Sequence, residues 1–212
     1  MKFPFDSINQ SMITQYLDCP LAFKLIYIDE LMQPESPALE IGSMFDKMFK
    51  AYHQKQKYPE FKDDENLRKT SKLMKAYELN PDYFVSPKFD IGFKVDLPGT
   101  DIKLRGTLDG LSDVEIIEVK TTSESYDQLR VDTAFQATAY TYGMYMTYKK
   151  MFPVRYVVIN KKTYDIQRLL TTRTESDFQS MFTKIKSFIK GVEDEQFKVN
   201  ENHQVWCACK RI

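Results

Sequence analysis

The stretch that most constrains the fold is RGTLDGLSDVEIIEVKTT, residues 105–122. It reads as two short strands joined by a tight connection around Ser112 and Asp113. Each strand carries an acid where an apolar residue is expected, Asp109 in the first and Glu118 in the second, which also holds Lys120. Alternate side chains of a strand share a face, so Glu118 and Lys120 point the same way and Val119 points the other. A short turn brings Asp109 beside Glu118. Ile116, Ile117 and Val119 make both faces of the second strand apolar, so its charges do not sit on an evidently wet face. Buried charges need partners or a metal. The plainer alternative is a surface hairpin with solvated charges.

Two carboxylates brought close repel, and at least one binds its proton more tightly unless a cation neutralises the pair. Hard oxygen ligands of this kind select Mg2+, Mn2+ or Ca2+, and the Val119 carbonyl would add a further oxygen. A lysine beside such an ion suits orientation of a water and charge on a phosphate, while the ion acidifies its bound water and polarises the phosphoryl oxygen. These are the requirements for hydrolysing a phosphodiester.

The chain of 212 residues is long enough for one large domain with a substantial core. With 42% hydrophobic and 28% charged residues it reads as a folded chain rather than a disordered one. The opening residues lack an apolar signal region and no run approaches a membrane span, so no membrane partner and a cytoplasmic location are expected. A formal net charge of zero argues against a broadly basic nucleic-acid coat but leaves room for a local basic groove. The cysteines Cys19, Cys207 and Cys209 are too few, and odd in number, for a disulfide framework.

Helical spacing runs through residues 8–28, where Pro20 should divide or kink the helix, then, after a proline-bearing loop at 32–37, through 38–56 and 63–80. Residues 1–80 are thus expected to form a helical subregion. Residues 87–122 switch to strands, with turns at Pro98-Gly99 and around Ser112. A long helix over 131–151, strands at 154–162 and 164–172, and a last helix over 173–195 follow. The order predicts an α/β fold, a mixed central β-sheet flanked by helices. Its organisation is one domain, 1–212, with the catalytic core at 85–190 and a tail at 191–212.

The GTLDG and IIEVKTT runs resemble the core of the PD-(D/E)xK nuclease superfamily, whose pattern is an Asp followed by Glu-x-Lys on the next strand. FQATAY resembles the Gln-x-x-x-Tyr helix of the RecB-like exonuclease branch, with Gln136 and Tyr140 one turn apart. SMITQYLDCPLAFKLIYI, with Cys19-Pro20, resembles that branch's opening helices. EIGSMFDKMF resembles the helix that supplies a metal-binding histidine. The resemblance implies a restriction-endonuclease-like core and a Mg2+- or Mn2+-dependent deoxyribonuclease, foremost an exonuclease on single-stranded DNA ends, in DNA repair or recombination. The small, motor-free chain would suit a phage or mobile element. A structure-specific or restriction-type endonuclease, or a DNA-binding assembly subunit with a decayed site, are the alternatives. By the same resemblance Asp46, Asp109, Glu118 and the Val119 carbonyl would bind metal, and Lys120 would activate water or stabilise the transition state. Gln136 would hold the water or a phosphate, and Tyr140 would contact the strand.

Two departures stand out. Asp46 occupies the histidine position, with His53 two turns on as a substitute. Relatives that carry an iron–sulfur cluster use four cysteines, whereas Cys19, Cys207 and Cys209 are three, with His203 the nearest completion, for a cluster or for zinc. Ser11 and Gln15 are candidates to meet a phosphate at a helix N-terminus. Tyr16, Phe23 and Tyr27 suit base stacking or, more simply, core packing. Lys47, Lys50, Lys55 and Lys57 would give a basic flank near Asp46, and Lys161, Lys162, Arg168 and Arg173 read as a solvated charge run.

Overall fold

A computed structural model of the chain describes residues 1–31, 37–62, 64–84, 86, 88–124 and 126–200. The loop expected at 32–37 lies mostly outside them, as do Cys207, Cys209 and His203, so the cluster expectation falls outside the described residues.

The amino-terminal region is helical apart from one short strand, β1 (Ser7–Ile8). Helix α1 (Gln10–Asp18) starts where the Asn9 side chain accepts the Met12 N–H, at 3.0 Å. Pro20 divides the helix as expected. It opens α2 (Pro20–Phe23), where its missing N–H costs nothing, and the chain continues in a wide turn over Lys24–Ile28. Helices α3 (Pro37–His53) and α4 (Glu65–Glu78) follow, and Asn80-Pro81 ends the helical pattern in a 3-10 turn.

Strands β2 (Lys88–Asp96), β3 (Lys103–Leu111) and β4 (Ile116–Thr122) form an antiparallel meander. After α5 (Gln128–Asp132) and α6 (Phe135–Tyr148) come β5 (Val154–Asn160), parallel to β4, then the antiparallel β6 (Ile166–Thr171) and the last helix α7 (Glu175–Glu193). The six strands make one mixed sheet in the order β1-β3-β4-β5-β6, with β2 on the other side of β3. One face packs against α1, α6 and α7 through residues such as Ile13, Leu104, Ile116, Val158 and Phe188. The other packs against α3 and α4 through Phe45, Phe49, Tyr77, Ile117 and Val157. The expected layered α/β architecture is therefore present.

Two expectations are corrected. The helix expected from residue 131 is broken at Thr133–Ala134, and Arg173 is not a solvated charge. Its side chain is buried (7% exposed). It donates to the carbonyls of Val131, Ala134 and Thr172 and to the hydroxyls of Thr138 and Thr171, at 2.6–3.0 Å. Thr171 in turn donates to Asp132 at 2.7 Å, which links the guanidinium to a carboxylate. The planar fork of five N–H groups can serve a turn of exposed carbonyls that no regular helix would leave open. Tyr16 and Phe23 are core residues, stacked edge-on with Phe188, and Tyr27 packs against them. None of the three is placed to stack on a base. Cys19 is buried against Ala22, Leu21 and Ile26. Among the described residues no helix is long and apolar enough to cross a membrane.

Candidate active site

Strand β4 pairs with β3 at only two positions, Gly110 with Ile117 and Leu111 with Ile116. Beyond them the ladder stops, and the next residues in register are Asp109 and Glu118. Asp109 closes the gap with its side chain, accepting the Val119 N–H at 2.7 Å where a backbone carbonyl would otherwise serve. On the other side of β3 the register with β2 skips Asp109 and Asp90, and Asp90 adopts a left-handed conformation, φ 54°. That conformation costs a non-glycine residue about 1–2 kcal/mol. Such strain concentrates at functional sites. The acid of β3 thus sits in a sheet defect open on both edges.

Glu118 is buried, 4% exposed. Its Oε1 meets Lys120 Nζ at 2.6 Å and accepts from Gln136 Nε2 at 2.8 Å, while its Oε2 is enclosed and has no hydrogen-bond partner among the described residues. Gln136 also donates to the Tyr140 hydroxyl at 2.8 Å. Both residues lie in the first turns of α6, immediately after the break that Arg173 holds. The Gln-x-x-x-Tyr pair therefore reaches the acids from the α6 side, as expected from its one-turn spacing.

A pocket of about 260 Å³ is lined by Asp109, Glu118, Val119, Lys120 and Thr121 together with Gly42, Phe45, Asp46 and Phe49 of α3. Four of the expected metal and catalytic positions and Lys120 are thereby brought to one place. Each acid there has its own partner: Asp109 the Val119 N–H, Glu118 the Lys120 ammonium, and Asp46 Lys50 at 3.3 Å, which also reaches Asp90 at 3.2 Å. Among the described residues no three acidic, cysteine or histidine side chains converge on a single point. Burial first, then the neighbouring Glu118, pushes the Asp109 carboxyl well above the usual carboxylate range, against the pull of the Val119 N–H and Lys120. Burial works against the charge of Lys120, but Glu118 and Asp109 outweigh it and hold the ammonium above the usual lysine range. Burial and the Glu118 charge keep the Tyr140 phenol protonated.

The donor set fits a hard divalent cation. It is all oxygen, it includes an enclosed carboxylate oxygen with no partner among the described residues, and the neighbouring Glu118 charge adds to burial in raising the proton affinity of Asp109.

His53 is elsewhere. Its Nε2 lies 2.7 Å from the Tyr77 hydroxyl, inside a box of Phe49, Phe84 and Phe89, and it is not among the pocket's lining residues. Ser11 lines a second, larger groove, and Gln15 lines neither. Lys50, expected in a basic flank near Asp46, does pair with that acid, whereas Thr121, Asp90 and Tyr156 were not among the expected residues. Tyr156 is in register with Glu118 on β5, and its buried hydroxyl has no partner among the described residues. The period of two would have placed Thr121 on the face of Val119; nothing local marks Asp90 or Tyr156.

The chain belongs to the PD-(D/E)XK nuclease superfamily, whose model matches it in two overlapping stretches, residues 7–86 and 65–212. Its fold is similar to that of a "Putative exonuclease" from Eubacterium rectale, at TM-score 0.71 and 13% identity over 98% of this chain and 88% of that one. It is similar also to the protein SSO0001, at TM-score 0.51 and 13% identity over 98% of this chain and 85% of that one. No curated protein matches the sequence significantly. The chain is a nuclease by family, with a nucleic acid as substrate and phosphodiester hydrolysis as its chemistry.

Proposed function

We propose that the protein is a Mg2+- or Mn2+-dependent deoxyribonuclease of the RecB-like branch, an exonuclease acting on single-stranded DNA ends, in which all of 1–212 serves one catalytic domain. The observation that carries this reading is the meeting of Asp109, Glu118, Lys120 and Gln136 at the break in the β3–β4 ladder, with Glu118 Oε2 enclosed and unsatisfied. Asp109, Glu118, Asp46 and the Val119 carbonyl would hold the ion. When bound, it supplies an acidified water and charge compensation at the phosphoryl oxygen.

The remaining roles fall to the chain's own side chains. Lys120, one-third exposed (33%) and held charged beside Glu118, meets the non-bridging oxygen of the scissile phosphate or steadies the attacking water. Gln136 fixes Glu118 through its Oε1. Because Gln136 donates to the Tyr140 oxygen, the phenolic proton of Tyr140 stays available to a phosphate.

The test is purified protein with end-labelled linear and closed circular single strands, in Mg2+ or in EDTA, for wild type, Glu118→Gln and Lys120→Ala. Linear strands should be degraded and circles spared. EDTA and Glu118→Gln should abolish turnover, and Lys120→Ala should lose most of it at saturating metal. Rapid nicking of circles would instead favour an endonuclease. Undiminished turnover in EDTA or by Glu118→Gln would remove the metal mechanism.

A further inference from the structure

Strand β3 has one edge covered by β2, while its other edge is shared by β1 at Lys103–Leu104 and β4 at Gly110–Leu111. Between those contacts the edge is unpaired. A groove of about 580 Å³ lies here, lined by Asn9, Gln10 and Ser11 at the start of α1, by Arg105, Gly106 and Thr107 of β3, by Gly92, Phe93 and Lys94 of β2, and by Tyr140. Arg105 and Thr107 alternate along β3 and share one face, on the stretch that precedes the defect at Asp109. At ~3.3 Å per residue, Arg105 stands about 13 Å along the strand from Asp109. The groove shares no lining residue with the acidic pocket, but Tyr140, at its edge, is linked through Gln136 to Glu118.

The charges in this row are arranged against the fold's own interest. Lys94 and Arg105 are direct cross-strand partners. Like charges so placed destabilise a sheet. Lys94 is offset by Asp6 at 3.5 Å, whereas Arg105 is exposed and makes no ion pair among the described residues. On the opposite face of β3 the packing is tight: a Cβ at Gly106 would lie 2.7 Å from the Phe93 ring and 3.2 Å from Tyr140. The result is a groove with a cross-strand pair of cations on its lining.

We propose that Arg105 and Lys94 form a phosphate subsite that holds a single nucleic-acid strand as it runs along β3 toward Asp109 and Glu118, with Thr107 and Ser11 as neutral donors beside it. This deepens the nuclease reading and rests on it for direction of travel, but its test is binding in EDTA, independent of turnover. Fluorescence anisotropy of a labelled oligothymidylate is followed across a salt series for wild type, Arg105→Ala/Lys94→Ala, Arg105→Lys and, as a remote control on α7, Lys184→Ala/Lys186→Ala. Each phosphate contact on a single strand contributes ~0.7 to the slope of log K against log salt. The groove double variant should lose about 1.4 from that slope and bind many-fold more weakly at low salt. Arg105→Lys should keep the slope, and the α7 control should match wild type. An unchanged slope in the groove variant, an equal loss in the α7 control, no binding by wild type, or binding to duplex alone would each overturn the subsite. Failure of the nuclease reading shows separately, as absence of Mg2+-dependent turnover.

Discussion

Replacing Arg173 by leucine should damage both stability and the site, although Arg173 touches neither acid. The guanidinium is buried and makes five hydrogen bonds. Its removal takes a donor from the Val131 and Ala134 carbonyls at the α5–α6 break, at about 1–3 kcal/mol for each group left unsatisfied. Release of the guanidinium's own desolvation returns part of this, so the net loss is set at roughly 3 kcal/mol. For a domain of this size each kcal/mol lowers Tm by about 2–4 °C, which gives a fall of about 6–12 °C. Arg173→Lys keeps a charge but not the fork, and should lie between. Turnover measured well below either Tm should also fall, because Gln136 and Tyr140 occupy the turn that the guanidinium anchors. Thermal melts and urea titrations read the first effect, and the labelled-strand assay the second. A Tm for Arg173→Leu within about 1 °C of wild type would refute the argument.

Asp46→Ala should raise the Mg2+ concentration needed for half-maximal turnover, and Asp46→His should keep activity while shifting preference toward Mn2+; an unchanged Mg2+ midpoint and rate for the alanine variant would make Asp46 a mere partner of Lys50. Burial lowers the His53 pKa from its ordinary 6.5, so the unfolded chain takes the proton more readily and stability, full above that value, declines as pH falls through it. His53→Leu should flatten this slope, read as the difference in Tm between the two proteins from neutral to mildly acid pH. Tyr156→Phe removes a buried hydroxyl that has no partner among the described residues, and should leave the protein as stable or up to ~1 kcal/mol more so by urea denaturation; a clear loss would reveal a partner for that oxygen.

Where local pattern carries the information, the sequence was enough. Asp109, Glu118 and Lys120 were visible because strand alternation puts charge into an apolar run, and the helices because their apolar stripes are long. Gln136 and Tyr140 depended on the family resemblance, since α6 is apolar nearly all round. What escaped was made by distant contacts. β1 is two residues long, too short to hold a period. The break at Thr133–Ala134 contains neither glycine nor proline; a guanidinium forty residues later stabilises it, and for the same reason Arg173 looked like one more surface charge. Asp90 gives no hint of a left-handed backbone, which arises where the β2–β3 register fails beside Asp109.

That failure of register has a mechanical consequence. The sheet is two three-stranded halves, β1-β2-β3 and β4-β5-β6, stitched through two residue pairs. Asp109 and Glu118 stand one step beyond the last stitch, like the jaws of tongs set close to the rivet. The opening between these carboxylates therefore lies where a twist of one half against the other displaces the strands least. Because the jaws are short, even a modest twist alters that opening little, and the pair keeps its separation while the outer strands and helices move.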